Sequence, residues 1–301
     1  MKVTKVGIKE SRTPCCGRGW PQRDSAEHEG YAGALTDERI TENNSFDVDS
    51  GENKLLERIL SRENLNRAYK QVKRNKGAHG VDGMEVEHLL QYLKDNGEEL
   101  VKLVLDGKYR PNPVRRVEIP KDNGKMRKLG IPTAVDRVLQ QAIAQVLIPI
   151  FEPQFAETSY GFRPKRSAHD ALRKCVEYAN EGYIYVVDMD LEKFFDTVNQ
   201  SKMIEILSRT IKDGRVISLI HKYLRAGAVD RGRFEETETG LVQGGNISPL
   251  CSNIMLNELD HELERRGIRF VRYAADMLLF AKTKRSAQRI LEHIIPFIEN
   301  K

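Results

Sequence analysis

The most informative segment of this sequence is residues 186–196, which read VVDMDLEKFFD. The segment overlaps a short run of β-branched and aromatic residues, 183–187, that predicts a buried strand. Side chains alternate between the two faces of a strand, so Asp188 and Asp190 are expected on one face where the apolar run ends. A solvated strand end with a helix-capping aspartate would explain one of these acids. It would not explain four carboxylates within nine residues beside two phenylalanines.

A second acid, Asp276, follows Tyr-Ala-Ala in what reads as a hairpin between the apolar runs 268–273 and 277–281. Aspartate is common in turns, so this hairpin alone indicates only a turn. Two carboxylates on strands of one small sheet can, however, share metal ions. Mg²⁺ prefers oxygen ligands, commonly one or two carboxylates together with substrate phosphates. An aspartate at the end of the first strand, Asp188 or Asp190, and Asp276 are therefore candidate metal ligands.

Residues 240–250, GLVQGGNISPL, form a glycine-rich loop. Its glycines allow the backbone to approach a ligand closely, and Ser248 with Pro249 can begin the following helix. An ordinary surface loop that binds no ligand would explain the glycines, but it would not explain Gln243 beside them.

Residues 119–132 predict a basic hairpin, because the Asn-Gly pair at 123–124 is a strong turn signal. Lys121 and Arg127 lie across that turn, so both cations could face a polyphosphate. Surface hairpins are often basic, so this feature is weak by itself.

Helical periodicity predicts that most of the remaining chain is helical, beginning at Asn53, with Ser61 and Asn64 as caps between two helices. The other predicted helices are 86–104, 134–151, 167–180, 201–211, 215–225, 249–265 and 286–299. Together with the strands, they predict an α+β fold in which helices surround a small antiparallel sheet.

Length and composition are those of a soluble globular protein: 301 residues, of which 40% are apolar and 31% charged. The apolar runs are far shorter than the ~20 residues that cross a bilayer, and residues 1–10 lack the apolar core of a secretory signal. No membrane partner is therefore expected. The four cysteines show neither zinc-finger spacing nor a disulfide pattern, so a cytoplasmic location is predicted.

Residues 1–50 predict a polar and flexible leader, because they are punctuated by glycine and proline and have no sustained period. This leader holds seven basic and nine acidic residues in a chain of net charge +5, so residues 51–301 carry +7. A basic body favours a polyanionic partner such as nucleic acid.

Five motifs, in this order, resemble reverse transcriptases of the group II intron maturase family. They are IPKDNGKMRKLGIPT (119–133), SYGFRP (159–164), VDMDLEKFFD (187–196), QGGNISPL (243–250) and RYAADMLLF (272–280). NKGAHGVDG at 75–83 resembles the N-terminal extension that separates this group from retroviral enzymes. The resemblance covers the chain from about Asn53 to its last residue. It implies a right-hand polymerase, with fingers and N-terminal extension over 51–182 and palm over 183–301.

The resemblance also implies an RNA-directed DNA polymerase that uses two Mg²⁺ ions, an intron RNA template, a DNA primer and deoxynucleoside triphosphates. Its implied catalytic and metal-binding residues are Asp190 and Asp276. Its implied nucleotide-binding residues are Lys121, Arg127, Phe195, Gln243 and Gly244, with Phe195 as the gate against a ribose 2′-hydroxyl and Phe194 as the fallback. Arg163 and Tyr273 are implied to contact template or primer. A homodimer remains open, because no feature of the sequence argues for one.

The chain departs from the family pattern in three places. The family motif reads Tyr-Ala-Asp-Asp, but Ala275 stands where the first aspartate normally supplies a metal ligand, and a methyl group cannot coordinate Mg²⁺. Val242 replaces the proline that usually precedes Gln243. The sequence ends one helix after the hairpin, at Lys301, without the family's thumb and maturase domains.

These departures leave two main functions open. The first is a reverse transcriptase module whose catalysis is impaired by Ala275 and by truncation. The second is a non-catalytic protein that binds intron RNA and aids splicing, which would need the basic surface but not the missing carboxylate. A third and weaker option is an RNA-templated RNA polymerase, against which the bulk of Phe195 argues.

Overall fold

Helices outnumber strands in the part of the chain that a computed structural model describes, namely residues 3–10, 54–120, 126–191 and 193–299. The strands are β1 (Val3–Glu10), β2 (Val114–Pro120), β3 (Met126–Ile131), β4 (Tyr185–Leu191), β5 (Ala228–Asp230), β6 (Arg233–Glu235), β7 (Arg269–Tyr273) and β8 (Asp276–Ala281). The helices are α1 (Leu55–Ile59), α2 (Arg62–Asn75), α3 (Leu89–Leu105), α4 (Ala134–Phe151), α5 (Ala168–Asn180), α6 (Phe194–Thr197), α7 (Gln200–Thr210), α8 (Gly214–Leu224), α9 (Ser248–Arg265) and α10 (Lys284–Glu299). The predicted α+β class is confirmed.

The described residues fall into two compact units, each discontinuous in sequence. Unit 1 comprises residues 3–10, 154–194 and 255–299, and unit 2 comprises residues 54–153 and 195–254, less the undescribed positions. The sequence-based division instead placed one boundary after residue 182. Each unit contains residues from both sides of that boundary. In unit 1 helix α5 packs on β7, and in unit 2 strand β5 pairs with β2.

Unit 1 is built on a four-stranded antiparallel sheet in the order β1-β4-β8-β7. One face of β4 buries Val187, Met189 and Leu191. Strand β4 runs to Leu191, beyond the predicted end at Val187, because it has a hydrogen-bonded partner on both sides. Asp188 and Asp190 thus lie inside a paired strand and not after it.

Strand β1 lies within the stretch that was predicted to be a flexible polar leader. It pairs antiparallel with β4, so that Ile8 is opposite Val187 and Val6 is opposite Met189. Its apolar pattern is short and interrupted by Gly7, so local periodicity does not reveal a strand whose partner is distant in the sequence. The rest of the leader, residues 11–50, lies outside the described residues.

Unit 2 contains a second sheet in the order β3-β2-β5-β6. The predicted basic hairpin is confirmed: β2 and β3 pair antiparallel, with Ile119 opposite Arg127. The turn between them, residues 121–125, lies outside the described residues, and with it the predicted ligand Lys121. Strand β5 joins β2 in parallel and forms a small hairpin with β6.

Helix α4 is the central helix of unit 2, and buried residues lie along most of its length. Thr133 caps it by accepting a hydrogen bond from the Asp136 amide at 3.2 Å. Burial raises the pKa of the Asp136 carboxyl, which accepts hydrogen bonds from the Thr133 and Tyr109 hydroxyls at 2.6 and 2.7 Å. Residues 134–154 are long and apolar enough to cross a membrane, but 72% of their apolar window is buried inside the protein. That burial is typical of a core helix.

Candidate active site

Asp190 of β4 and Asp276 of β8 are direct cross-strand partners. Both are exposed, whereas the neighbouring pair, Met189 and Met277, is buried. Opposite residues in an antiparallel pair have Cβ atoms ~4.5–5.5 Å apart. The fold therefore brings together the two acids that the sequence predicted as metal ligands, although Asp276 begins β8 and does not lie in the turn.

Asp188 shares the face of Asp190 but has a different partner. Its Oδ2 lies 2.9 Å from Nζ of Lys9 on β1, in an ion pair that is partly exposed. On the same strand, Lys5 is the register partner of Asp190. Strand β1 thus supplies a counter-charge to Asp188 and runs directly beside the acid that pairs with Asp276.

The turn that joins β7 to β8 has two residues, Ala274 and Ala275. Ala274 adopts a left-handed conformation, with φ of +56°, which is uncommon for any residue except glycine. Tyr273, predicted to contact template or primer, is 42% exposed at the end of β7. Ala275 immediately precedes Asp276, and its methyl group adds no ligand.

The two carboxylates suit Mg²⁺ in the donor atoms they offer and in their exposure. No cluster of three or more potential ligands from His, Cys, Asp and Glu occurs among the described residues. One or two carboxylates completed by substrate phosphates are nevertheless a common Mg²⁺ arrangement. Asp190 and Asp276 together meet that requirement for one ion, and a second ion would need a further donor near Ala275.

Residues 158–161, which precede α5, contact β7 and the turn between β7 and β8. The amide of Tyr160 donates to the Arg272 carbonyl, and the amide of Arg272 donates to the Thr158 carbonyl, each at 2.9 Å. A Cβ atom on Gly161 would lie 2.2 Å from the Ala274 nitrogen. Only glycine therefore fits at position 161 while the turn keeps this conformation.

Arg163, predicted to lie near template, is 4% exposed. Its Nη1 donates to the carbonyls of Ala156 and Ser159 at 2.6 and 2.8 Å, and its guanidinium lies over the Phe155 ring. The structure thus gives Arg163 an internal role in holding this loop, and contact with a template stays a prediction.

Gln243 and Gly244 dock the glycine-rich loop on β3 within unit 2. The Gln243 amide, oriented to satisfy both of its polar ends, accepts from Nη2 and Nε of Arg127 at 2.7 and 3.0 Å and donates to the Lys128 carbonyl at 3.1 Å. The Gly130 amide donates to the Gln243 carbonyl at 2.7 Å. A Cβ atom on Gly244 would lie 2.6 Å from the Gly130 oxygen. Three residues predicted to bind nucleotide are therefore joined in one contact network.

The two phenylalanines after β4 differ in burial. Phe194 is 2% exposed, whereas Phe195 is half-buried. The Phe195 carbonyl accepts from the Leu241 amide at 2.6 Å, at the start of the glycine-rich loop. Phe195 thus offers a partly accessible ring, and Phe194 is a core residue.

Sequence reasoning missed three residues that hold the turn: Gly161, Arg272 and Asp260. Arg272 and Asp260 are both fully buried and form an ion pair. A signal was present for Arg272, because an arginine in the apolar run Phe270–Tyr273 requires a partner when buried. Asp260 gave no comparable signal, because it lies among other polar residues of α9.

The sequence model of a known family, described as "Reverse transcriptase (RNA-dependent DNA polymerase)", matches residues 119–301 of this chain. The matched segment includes β4, β8 and the glycine-rich loop. The chain belongs to the reverse transcriptase family. Within it, the chain falls in the group II intron reverse transcriptase and maturase group that the five motifs indicated.

Two curated proteins are similar in sequence to this reverse transcriptase chain. "Protein YkfC" of Escherichia coli (strain K12) is 42% identical over 219 residues, which cover 71% of this chain and 58% of that protein. "Group II intron-encoded protein LtrA" of Lactococcus lactis subsp. cremoris is 34% identical over 242 residues, which cover 80% of this chain and 40% of that protein. The chain thus spans about half the length of these relatives.

A solved structure agrees in fold with this reverse transcriptase chain. A chain of the "Partial Cas6-RT-Cas1--Cas2 complex" superposes with a TM-score of 0.50 at 22% identity, covering 79% of this chain and 40% of that one. At this identity the likeness concerns the fold alone, and it supports the predicted fingers-and-palm architecture.

Proposed function

We propose that this chain is the fingers and palm portion of an RNA-directed DNA polymerase of the group II intron type. In this proposal the fingers with the N-terminal extension are residues 51–182, and the palm is residues 183–301. The observation that carries the proposal is the pairing of Asp190 with Asp276 across β4 and β8. Its substrates would be an intron RNA template, a DNA primer and deoxynucleoside triphosphates.

In this proposal Asp190 and Asp276 hold Mg²⁺ together with the phosphates of the incoming nucleotide. The metal would supply charge neutralisation for the attacking and leaving oxygens of phosphoryl transfer. Arg127, held in place by Gln243, would bind the triphosphate, a role that the family resemblance also implies for Lys121. Phe195 would lie beneath the sugar and disfavour a 2′-hydroxyl.

Ala275 would weaken this site, because it leaves two of the three carboxylates that the family's metal site has, Asp190 and Asp276. Loss of a ligand from a site for two Mg²⁺ ions should cost several kcal/mol of transition-state stabilisation, roughly a thousandfold in rate or more. We therefore expect this chain to extend a primer only at background level.

Primer extension on an RNA template tests the proposal directly. The chain would be compared with the variants Ala275→Asp and Ala275→Asn, which have nearly the same side-chain shape but differ in charge. We expect Mg²⁺-dependent extension from Ala275→Asp alone. Vigorous extension by the unaltered chain, or equal extension by both variants, would contradict the assignment of position 275 to a ligand.

The second candidate function is RNA binding without catalysis, and Ala275 is the observation that favours it. Ala275→Asp lowers the +7 charge of residues 51–301 by only one unit and Ala275→Asn leaves it unchanged, so RNA affinity should be similar in all three proteins. Affinity that rests on phosphate contacts should fall by ~0.7–0.9 log units per contact for each tenfold rise in salt. A flat salt response would indicate that the excess charge is only surface solvation.

A further inference from the structure

Arg272 and Asp260 form an ion pair with no solvent exposure on either side chain. Nε of Arg272 lies 2.8 and 3.0 Å from the two carboxylate oxygens of Asp260, and Nη2 lies 2.6 Å from Oδ2. Both residues belong to unit 1, since α9 carries Asp260 and β7 carries Arg272. The contact is thus a bidentate, fully desolvated pair.

The same guanidinium reaches the turn. Nη1 of Arg272 donates to the Ala274 carbonyl at 3.0 Å. Ala274 is the residue with φ of +56°, and a non-glycine residue in this region persists only when its surroundings hold it there. Arg272 therefore links α9 to the strained residue of the turn, two positions before Asp276.

Stability alone gives a weak reason for this pair. Desolvating two charges is costly, and a buried ion pair can often be replaced by apolar residues of similar volume without loss of stability. An apolar pair could fill the same space between α9 and β7. It could not donate a hydrogen bond to the Ala274 carbonyl, and that contact distinguishes the arginine.

We propose that the Arg272–Asp260 pair positions Asp276 by fixing the turn at Ala274. Asp260 orients the guanidinium, the guanidinium holds the Ala274 carbonyl, and the turn sets where β8 begins and therefore where the Asp276 carboxylate lies relative to Asp190. Arg272 and Asp260 are thus positioning residues that contact no substrate. This inference rests on the proposed function, because it concerns the same metal site.

The decisive variant replaces both charges with apolar residues of similar volume, Arg272→Met with Asp260→Leu, in the chain that carries Ala275→Asp. We expect this variant to fold, since the pair is removed as a unit. Hydrogen exchange, followed by mass spectrometry in peptides that cover residues 270–280, should become faster at the turn. Mn²⁺ affinity, followed by electron paramagnetic resonance, should fall by about 10–100-fold, the usual cost of losing an outer-shell partner.

Two further variants keep the test interpretable. Arg272→Lys retains a charge for Asp260 but lacks the planar fork that reaches both Asp260 and Ala274. It should therefore show faster exchange at the turn and lower Mn²⁺ affinity, and it replaces the apolar double variant if that variant does not fold. Leu291→Ala removes a buried side chain of α10 without altering either charge. It should lower the melting temperature while leaving turn exchange and Mn²⁺ affinity unchanged.

Unchanged turn exchange in the folded Arg272 variants would overturn the inference. The inference would also be overturned if Leu291→Ala changed turn exchange and Mn²⁺ affinity as strongly as the Arg272 variants do, since these effects would then follow from lost stability. If the Ala275→Asp chain with Arg272 and Asp260 intact binds no Mn²⁺, the proposed metal site fails. Turn exchange would still decide the positioning role in that case.

Discussion

Asp190 and Asp276 are directly opposite each other on neighbouring antiparallel strands, exposed above a buried pair of methionines. Two carboxylates at cross-strand distance repel each other unless a cation or a proton neutralises them. Positive charge near the paired carboxylates of β4 and β8 is therefore favourable. Asp188, on the same face of β4, is paired with Lys9, and we propose that Asp190 and Asp276 share a metal ion.

Metal affinity should depend on Asp190 and Asp276 but not on Asp188. In the Ala275→Asp chain, Asp190→Asn or Asp276→Asn should each weaken Mn²⁺ binding by at least ~10-fold, since even outer-shell losses cost that much. Asp188→Asn is the matched control, because it removes an acid from the same strand face that already has Lys9 as its partner. Titration calorimetry measures all three. A larger loss of Mn²⁺ affinity from Asp188→Asn than from Asp190→Asn would show that Asp188, and not Asp190, holds the metal.

Gly161→Ala should destabilise unit 1 and disturb the turn. The added methyl group would lie 2.2 Å from the Ala274 nitrogen, so the loop or the turn must move. We expect a loss of ~1–3 kcal/mol, as for other cases of overpacking. Gly97→Ala is the control: this residue lies in α3 with nothing within 4 Å of the added atom, and should gain about 0.5–1 kcal/mol. Chemical denaturation measures both, and equal effects would refute the close approach at position 161.

Gln243→Leu should impair nucleotide binding more than the chemical step. The Gln243 amide holds the Arg127 guanidinium through two hydrogen bonds, and hydrogen bonds to charged groups contribute ~1.5–3 kcal/mol. In the Ala275→Asp chain we expect KM for the deoxynucleotide to rise by ~10-fold or more, with a smaller change in kcat. Gln145→Leu serves as the control, because its amide nitrogen donates to Asn64 and its amide oxygen accepts from Gln141 rather than from Arg127. A KM effect of equal size in that variant would indicate general destabilisation.

Phe195→Ala should relax sugar selection in the Ala275→Asp chain. A half-buried ring beside the sugar would collide with a 2′-hydroxyl, and discrimination of this kind acts on the difference between two transition states. The ratio of kcat/KM for ribo- and deoxynucleotides should therefore rise. Phe194→Ala, at a buried position, should instead cost ~3–5 kcal/mol of stability and lower both activities together. A relaxed ratio with Phe194→Ala but not with Phe195→Ala would move the gate by one residue.

Patterns that are local in the sequence predicted their elements well. The Asn-Gly turn signal located the hairpin β2–β3, and the alternation of residues 186–190 placed Asp188 and Asp190 on one face. The predicted cap Ser61 begins α2, whereas Asn64, the other predicted cap, lies inside that helix. The pairing of Asp190 with Asp276 could be expected only as proximity on one sheet. The register between these two strands, which are distant in the sequence, is specified by no local pattern.

Relationships between distant segments were not predictable in the same way. The parallel pairing of β2 with β5 joins two strands more than a hundred residues apart. Strand β5 has only three residues, and so short a strand gives little periodic signal. The ion pair between Arg272 and Asp260 appears in the sequence only as two charges in apolar surroundings. Which buried charge meets which is decided by the packing of α9 on the sheet.

Strand β1 has a consequence for how this chain folds as it is made. Strand β1 ends at Glu10 and its pairing partner β4 ends at Leu191, so 181 residues (191 − 10) are synthesised between the two ends. At ~5–20 residues per second on the ribosome, about ten to forty seconds pass before β4 is complete. During this interval the backbone groups of β1 have no partner strand, so this segment is a candidate site for chaperone capture or mispairing. Strand β1 is thus translated long before β4 is available to pair with it.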